Sequence, residues 1–550
     1  MTQASGGAWS RPLRRWVGVA ATLTVLLRLP FLITPLNVDE GGYATIASQW
    51  ASGAQLYRDV WVDRPQGLLV FYRLVFAVLG PHAWAVRAVA ALWAAAGVVA
   101  VAEVARARRG PRAGALAAMV FALLSATPRA EGFAANGELL AAVPSVGCVA
   151  LVLCARPVSA GGGRRAAPLG SPGRLVAAGI CGGAAVLLKQ SGFDGAVAVV
   201  GWLLVAGAFR RCSRAQVARA LALLGTGAAI VVLPTVLHGM SLGLGEWWFA
   251  VVGQRSGSQS VWTGDLTKRL ERLWRLVGTL GPVLIATLMV LLAAPAARAG
   301  TWLVRAAQRS SPIPAPPGLA AAVPNTAPVL ASVEDRVLIG GWVLASLAGF
   351  ALGGLFHPHY VIGLVPVVAV LAGCSLAVAW ERATSVAAFA GGLGVVLYLV
   401  SAWPAMSAGD ADVRSMRSTA DGRVLSDAEV GAYLRAHTNE QDSIYAMYAN
   451  AGLYFAADRR PASPYLWWLN LVQVPGAIDQ LAVAFNGPDA PRYVARYGEA
   501  DSLPGGDAIK VAFERRYRLE TVVAGVPLFR LVEDTGPPAV PPITSPTASR

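Results

Sequence analysis

Long apolar runs alternate with short polar segments from Trp16 to Trp403, and the residues after them are mixed in character. Several runs approach the roughly 20 residues that a helix needs to cross a bilayer. The pattern predicts about eleven membrane-spanning helices. Their approximate ranges are 16–34, 84–105, 113–128, 138–155, 174–189, 193–209, 217–238, 273–295, 336–356, 360–380 and 384–403. Residues 1–405 are therefore expected to form an all-α polytopic membrane module.

The polar C-terminal region has a different pattern. Its segments "DSIYAMY", "PRYVARYG" and "VPLFRLVED" predict short strands, and "SDAEVGAYLRAH" predicts an amphipathic helix with Ser426 as its N-cap. We expect a small α/β domain over 406–535. The Pro-rich residues 536–550 are typical of a disordered tail.

The charge pattern changes how the net charge of +15 is interpreted. Basic residues bunch between apolar runs, as in the cytoplasmic loops of membrane proteins. The clusters are Arg11, Arg14 and Arg15; Arg106, Arg108, Arg109 and Arg112; Arg164 and Arg165; Arg210, Arg211, Arg214 and Arg219; and Arg298, Arg305 and Arg309. The first of these clusters places the N-terminus in the cytoplasm. An odd number of helices then places the C-terminal domain outside the inner membrane. No basic face carries aromatic residues for base stacking, so nucleic acid is not expected as a partner.

The N-terminal segment and the cysteines bear on processing of the chain and on metal binding. The basic start and the apolar residues from Trp16 resemble a signal peptide, but no small-x-small cleavage site follows cleanly, so we expect this segment to be retained. All five cysteines lie in or beside apolar runs, and no Cys/His spacing is typical of a zinc site.

The first outward loop, 35–83, contains carboxylates and arginines, which are residue types that can act in catalysis. Asp39 and Glu40 follow the first predicted helix, and the periodicity after them predicts an interfacial helix with Asp39, Tyr43 and Ala47 on one face. A carboxylate near the hydrocarbon boundary is costly unless it is paired. These two carboxylates could simply stabilise a helix N-terminus through its dipole, or they could act in catalysis.

A family resemblance favours catalysis. "VDEGGYA" followed by "DRPQGLLVFY" resembles the C-type (GT-C) integral-membrane glycosyltransferases, in the branch of protein O-mannosyltransferases and lipid A aminoarabinose transferases. Those proteins carry an Asp-Glu pair after the first helix and then an acidic-basic-Pro-Pro motif. This chain departs from the second motif, because it has Arg64 where Lys is commoner and Gln66 in place of the second Pro.

The resemblance extends over most of the chain. It includes "LLKQSG" with Lys189, "WWFAVVGQRSGS" with Arg255, and "FHPHYVIGLVPVVAVLAG" with His357, His359 and Tyr360. In the C-terminal region, "YAMYANAGLYFAADRRPASPY" is similar to a recurring element of bacterial members. Each motif is loose by itself, and the argument depends on their order and their common side of the membrane.

The resemblance implies that a sugar moves from a polyprenyl-phosphate donor to a hydroxyl of a cell-envelope glycan, lipid or protein. A carboxylate can take the hydroxyl proton, and cations can stabilise the leaving phosphate. We expect Asp39 to be the base, and Glu40 and Asp63 to support it. The residues expected at the donor phosphate are Arg64, Lys189, Arg255, His359 and Tyr360. No metal ligands are predicted, and a divalent cation as cofactor is left open.

Each of these residues also has a structural interpretation. Lys189 could extend its ammonium group to the membrane interface, and Arg255 is one of several outward basic residues. His357 and His359 could start a helix rather than bind a metal. Trp467 and Trp468 could pack in a core rather than stack on sugar.

Two other functional classes compete with an enzyme. A transporter or flippase predicts inverted repeats and interrupted helices at the bilayer midplane, and no clear internal repeat is present. A non-catalytic scaffold that binds a partner through its outer domain would leave the carboxylates of the first loop without a purpose. We therefore favour the glycosyltransferase.

Overall fold

The structure, a computed structural model, describes most of the chain in two units that divide between Leu425 and Ser426. The described residues are 9–154, 171–254, 266–310, 333–352, 355–419, 421–448, 450–498 and 502–532, with side chains omitted for 304–310. Arg255, predicted at the donor phosphate, lies outside these residues, as do Arg164 and Arg165 and the predicted tail.

The first unit is built from α-helices. They are α1 (Arg11–Leu26), α2 (Val38–Ala51), α3 (Gln66–Leu79), α4 (Ala83–Arg109), α5 (Pro111–Ser125), α6 (Gly137–Cys154), α7 (Pro172–Leu188), α8 (Asp194–Ala208), α9 (Arg214–Leu242), α10 (Leu244–Trp248), α11 (Leu266–Ser310), α12 (Val333–Leu352), α13 (Val365–Arg382), α14 (Thr384–Met406) and α15 (Ala411–Thr419). Short 3₁₀ helices cover Leu29–Phe31, Pro128–Ala130 and Pro358–Leu364, and a π-helical turn covers Phe249–Gly253.

Every predicted span overlaps one of these helices, which confirms the all-α membrane architecture. Among the described residues, 7 helices are long and apolar enough to cross a membrane. The first helix differs most from its prediction, because it begins at Arg11 and ends at Leu26 rather than covering 16–34. Pro30 lacks an amide proton and lies in the 3₁₀ turn Leu29–Phe31, so a continuous helix there would lose a hydrogen bond.

Small residues allow the apolar helices to pack closely. A Cβ atom on Gly179 of α7 would lie 2.0 Å from the Leu224 carbonyl oxygen of α9. A Cβ atom on Gly227 of α9 would lie 2.0 Å from the Val176 carbonyl oxygen of α7. This reciprocal contact is the small-residue packing that brings helix backbones together in membranes.

Polar contacts at one end of the bundle join residues of the predicted inward side. Trp9 Nε1 donates to Glu103 Oε2 at 2.8 Å, and Arg106 Nε donates to the same oxygen at 2.7 Å. Arg108, near the end of α4, forms an ion pair with Asp335 at the start of α12. Helix α4 starts at Ala83, directly after the first loop, and ends in the arginine cluster at Arg109. The first loop and the arginine cluster therefore lie at opposite ends of the bundle.

The second unit is a small α/β domain. Its strands are β1 (Ser443–Met447), β2 (Arg460–Pro461), β3 (Tyr493–Arg496), β4 (Tyr517–Val523) and β5 (Val526–Leu531), in the order β2-β1-β3-β5-β4. β1 pairs in parallel with β2 and β3, whereas β5 pairs antiparallel with β3 and β4. The helices are α16 (Asp427–His437), α17 (Gly452–Ala457), α18 (Trp468–Gln473), α19 (Ala477–Asn486) and α20 (Asp507–Arg516).

Three strands and one helix of this domain agree with the sequence patterns, and two details differ. Ser426 occupies the N-cap position of α16, but its side chain makes no capping hydrogen bond. The boundary lies after Leu425 rather than near residue 405, because α15 belongs to the first unit. Arg414 on α15 donates to the Pro30 carbonyl oxygen at 3.0 Å, which ties this helix to the membrane module.

Candidate active site

Asp39 stands in the first turn of α2, where the backbone is fixed by a capping box. The Asn37 side chain accepts from the Glu40 amide at 2.8 Å, and the Asn37 amide donates to Glu40 Oε2 at 3.2 Å. Tyr43 and Ala47, predicted on the face of Asp39, are buried. The Asp39 side chain is 34% exposed, so its carboxylate can be reached from outside the protein.

Glu40 has a different environment from Asp39, although the two are adjacent. Its carboxylate is fully buried and forms an ion pair with Arg87 of α4, at 2.6 Å from Oε2 to Nη2. The Ala135 amide also donates to Glu40 Oε1 at 2.9 Å. These partners enclose the carboxylate and fix the start of α2, and the supporting role of Glu40 in catalysis stays a prediction.

Asp63 and Arg64 form an ion pair, with 2.9 Å between Asp63 Oδ1 and Arg64 Nη1. Arg64 also hydrogen-bonds the Tyr43 hydroxyl, which links this pair to α2. Burial alone would lower the pKa of Arg64, but Asp63, together with Tyr43, Tyr360 and Asp39, outweighs burial and holds that pKa above its ordinary value. Arg64 therefore provides a fixed positive charge close to Asp39 and Tyr360.

Lys189 follows the last residue of α7 and is buried rather than extended to the interface. It forms an ion pair with Glu138 in the first turn of α6. Its ammonium nitrogen also lies 4.4 Å from the centre of the Tyr360 ring. The next residue, Gln190, donates to the Asp63 carbonyl oxygen at 2.7 Å, so the lysine segment and the Asp63–Arg64 segment are held together.

His359 brings three carboxylates together. Its Nε2 atom lies 4.0 Å from Asp39 Oδ2 and 3.8 Å from Glu138 Oε1. Its Nδ1 atom lies 3.6 Å from Glu131 Oε2, which accepts a hydrogen bond from Asn37 Nδ2 at 2.8 Å. Tertiary structure thus joins the first loop, the second outward turn and the segment before α13 at one histidine.

His357 starts the 3₁₀ helix Pro358–Leu364, as its helix-start interpretation predicts. Burial, and then the neighbouring His359, lower the pKa of His357 to about 4. The side chain is therefore neutral at pH 7 and adds no positive charge to the site.

Glu131, Glu138 and Arg272 are the members of the site to which sequence reasoning gave no role. Glu131 has a left-handed backbone with φ of 53°, an uncommon conformation for a residue other than glycine. Arg272, on α11, acts electrostatically on His357 and Tyr360. Glu131 closely follows the predicted span 113–128, and Glu138 begins the predicted span 138–155, so a position beside an outward span end is the sequence signal that could have found them.

The apolar cavity beside these residues has a volume of about 530 Å³. Glu138, Lys189 and Tyr360 contact one another and form a polar corner of its lining, and Gln66 is another polar residue of the wall. Gln66 accepts a hydrogen bond from Trp247 Nε1 at 3.1 Å, so this departure from the family motif helps to shape the wall. Most of the remaining lining is apolar and comes from α6, α7, α9 and α12. The cavity is therefore mostly apolar, with a charged pair at one part of its wall.

The carboxylates around His359 have partners within the protein: Glu138 pairs with Lys189, and Glu131 accepts a hydrogen bond from Asn37. Within the described ranges, no group of three or more His, Cys, Asp or Glu side chains could hold a metal ion.

Solved structures share this architecture over nearly the whole chain. ArnT from Cupriavidus metallidurans bound to undecaprenyl phosphate is 15% identical, with a TM-score of 0.59, over 96% of this chain and 100% of that one. The Archaeoglobus fulgidus oligosaccharyltransferase AglB in complex with an inhibitory peptide and a dolichol-phosphate is 12% identical, with a TM-score of 0.54. That match covers 96% of this chain and 74% of AglB. An Archaeoglobus fulgidus oligosaccharyltransferase in complex with Zn and sulfate matches with a TM-score of 0.54 at 14% identity, over 88% of this chain and 67% of that one.

These likenesses define the fold of the protein. ArnT and the oligosaccharyltransferase are both GT-C glycosyltransferases, and this chain has the GT-C fold. No family profile and no curated protein sequence matches it.

Proposed function

We propose that this protein transfers a sugar from a polyprenyl-phosphate donor to a hydroxyl of a cell-envelope glycan, lipid or protein at the outer face of the cytoplasmic membrane. The observation that carries the proposal is the polar corner of the apolar cavity. There a buried lysine faces the cavity, and a single histidine connects the lysine's carboxylate partner to the accessible Asp39. ArnT binds undecaprenyl phosphate and AglB binds a dolichol-phosphate in their structures. Both lipids are polyprenyl phosphates, the class of lipid proposed for the donor.

The residues support an inverting displacement at the anomeric carbon, with an acceptor for the released proton and a stabilised leaving group. The acceptor hydroxyl attacks the anomeric carbon and gives its proton to the Asp39 carboxylate. The bond between the anomeric carbon and the phosphate oxygen breaks, and its electron pair stays on the phosphate. Lys189 and Arg64 provide the positive charge that stabilises this leaving group. A divalent cation bound at the phosphate would add to this positive charge.

The proposal is tested with purified protein and a panel of polyprenyl-phosphate sugars that carry a radiolabel in the sugar. We expect one donor to lose its label, either to water or to an added envelope extract, and to release polyprenyl phosphate. Release should be the same whether or not a chelator is present if no cation takes part. A protein that binds none of the donors and releases no label from any of them would contradict the assignment.

A transporter or flippase makes a different prediction from the enzyme. In sealed vesicles it would move the lipid-linked sugar between leaflets without cleaving it. The exposed carboxylate of Asp39 near two cations favours bond cleavage, because translocation alone requires no proton acceptor at the membrane surface.

Arg64→Ala should lower turnover strongly, because Arg64 meets the charge that develops on the phosphate, and it should also lower the thermal unfolding temperature, because Asp63 loses its partner. Arg64→Lys should keep part of the activity, since the positive charge remains and the bidentate geometry is lost. Activity per folded molecule and the unfolding temperature are measured together. Arg58→Ala is the control, because Arg58 lies in the same loop as Arg64 but forms its ion pair, with Glu246, at the exposed surface. Early unfolding of Arg64→Ala with normal activity in the folded fraction would show that Arg64 is structural.

The C-terminal domain should lie outside the cell. Ala436→Cys, at an exposed position of α16, should react with an impermeant maleimide in intact spheroplasts after the five native cysteines are replaced. Arg211→Cys, in the exposed turn between α8 and α9, should be protected until the membrane is broken. The reverse pattern would place the site on the cytoplasmic face.

A further inference from the structure

Glu138 is the partner of the buried lysine to which the proposed function assigns the donor phosphate. Its carboxylate forms an ion pair with Lys189, and both side chains line the apolar cavity. Both are also largely buried, with side-chain exposures of 8% for Glu138 and 11% for Lys189. Removing one partner of a buried pair leaves an uncompensated charge, which is strongly unfavourable. Glu138 therefore neutralises Lys189 when the cavity holds no phosphate.

A phosphate that reaches Lys189 must compete with this carboxylate. Two anions cannot share one buried ammonium group without mutual repulsion, since the surroundings are apolar and screen charge weakly. Glu138 has a second partner within reach, because Oε1, the oxygen that contacts Lys189, is 3.8 Å from His359 Nε2. His359 stands between Glu138 and Asp39, and its side chain is 10% exposed.

We propose that Glu138 exchanges partners, leaving Lys189 for His359 when a polyprenyl phosphate enters the cavity. This inference rests on the proposed function and adds a positioning residue to it. Glu138 does not touch the sugar or the reacting atoms. It keeps Lys189 neutralised between turnovers and lowers the affinity for the phosphate product, which favours product release.

The exchange has a consequence that a structural role would not produce. Removing the charge of Glu138 should make the protein bind polyprenyl phosphate more tightly, because the competing anion is gone. Removing the imidazole of His359 should weaken binding, because a displaced Glu138 then has no partner. In a protein that already carries Glu138→Gln, the second substitution should have little effect. A direct contact between His359 and phosphate would instead weaken binding equally in both backgrounds.

The experiment measures binding of undecaprenyl monophosphate to the full-length protein in nanodiscs of zwitterionic lipid, with the unfolding temperature of each variant recorded. The variants are Glu138→Gln, His359→Gln and the double substitution, which together form a double-mutant cycle. We expect Glu138→Gln to lower the dissociation constant on the order of tenfold, a size that falls within the range of couplings between residues in contact. We also expect it to lower kcat and KM together, because release of the product becomes slower.

The control is Glu246→Gln, which removes an exposed negative charge near the cavity residue Trp247 without contacting Lys189. It should bind as the unmodified protein does. Equal or weaker binding by folded Glu138→Gln, or the same loss from His359→Gln in both backgrounds, would overturn the exchange. If Glu138→Gln does not fold, His359→Gln alone decides, because unchanged binding would also overturn it. A failure of the unmodified protein to bind the lipid phosphate would instead contradict the proposed function.

Discussion

Asp39→Asn should reduce turnover by roughly 100- to 10,000-fold, the usual cost of removing a general base. The amide has the shape of the carboxylate but cannot accept the acceptor's proton at neutral pH. Asp39 is the carboxylate of the first α2 turn that is open to the outside, since Glu40 beside it is enclosed. Transfer of labelled sugar under single-turnover conditions is the appropriate measurement, because it separates the chemical step from product release.

The matched control for this substitution is Asp59→Asn. Asp59 lies in the same loop, and its Oδ2 atom accepts from the Gln55 amide at 2.8 Å within an exposed turn. It should retain nearly normal transfer. Donor binding should survive in Asp39→Asn, because Lys189 and Arg64 are unchanged. Near-normal turnover of that variant would remove Asp39 from the chemistry, and another group would have to accept the proton.

Glu40→Ala should destabilise the protein by about 3–5 kcal/mol, as expected when one partner of a buried ion pair is removed. Arg87 would then keep its charge in a site that is 1% exposed, without the carboxylate that neutralises it. Arg87 also donates to the carbonyl oxygens of Phe31 and Thr34 at 2.6 and 2.7 Å, so the connection before α2 depends on this side chain. The loss is measured as a fall in thermal unfolding temperature in detergent.

The double variant Glu40→Leu/Arg87→Met provides the control for the charge itself. It removes both ions and leaves apolar side chains, so it should unfold at a higher temperature than Glu40→Ala does. An unchanged unfolding temperature together with lost transfer activity in Glu40→Ala would contradict the structural role. That result would favour the supporting role in catalysis that its position beside Asp39 suggested.

The sequence alone determined the membrane architecture of the protein. Apolar runs of bilayer length must form helices in lipid, because every backbone amide and carbonyl needs a hydrogen-bond partner there. This constraint is local, and so the pattern predicted each span without knowledge of its neighbours. The strands β1, β3 and β5 were predictable for a similar reason, since alternating and aromatic-rich segments lie between turn residues. Asp39 was identifiable from its position after the first helix and from the motif around it.

Only the tertiary structure decided which partners each charged residue meets. Asp39 and Glu40 are adjacent in sequence, yet a helix turns successive side chains by about 100°, and so one is exposed while the other meets Arg87. Lys189 was predicted at the donor phosphate, with extension to the interface as the alternative, and its partner Glu138 was assigned no role because the two are 51 positions apart. His359 gathers Asp39, Glu131 and Glu138 from three separated segments. Such pairings depend on how the helices pack, and periodicity along a chain contains no information about charges brought together across it.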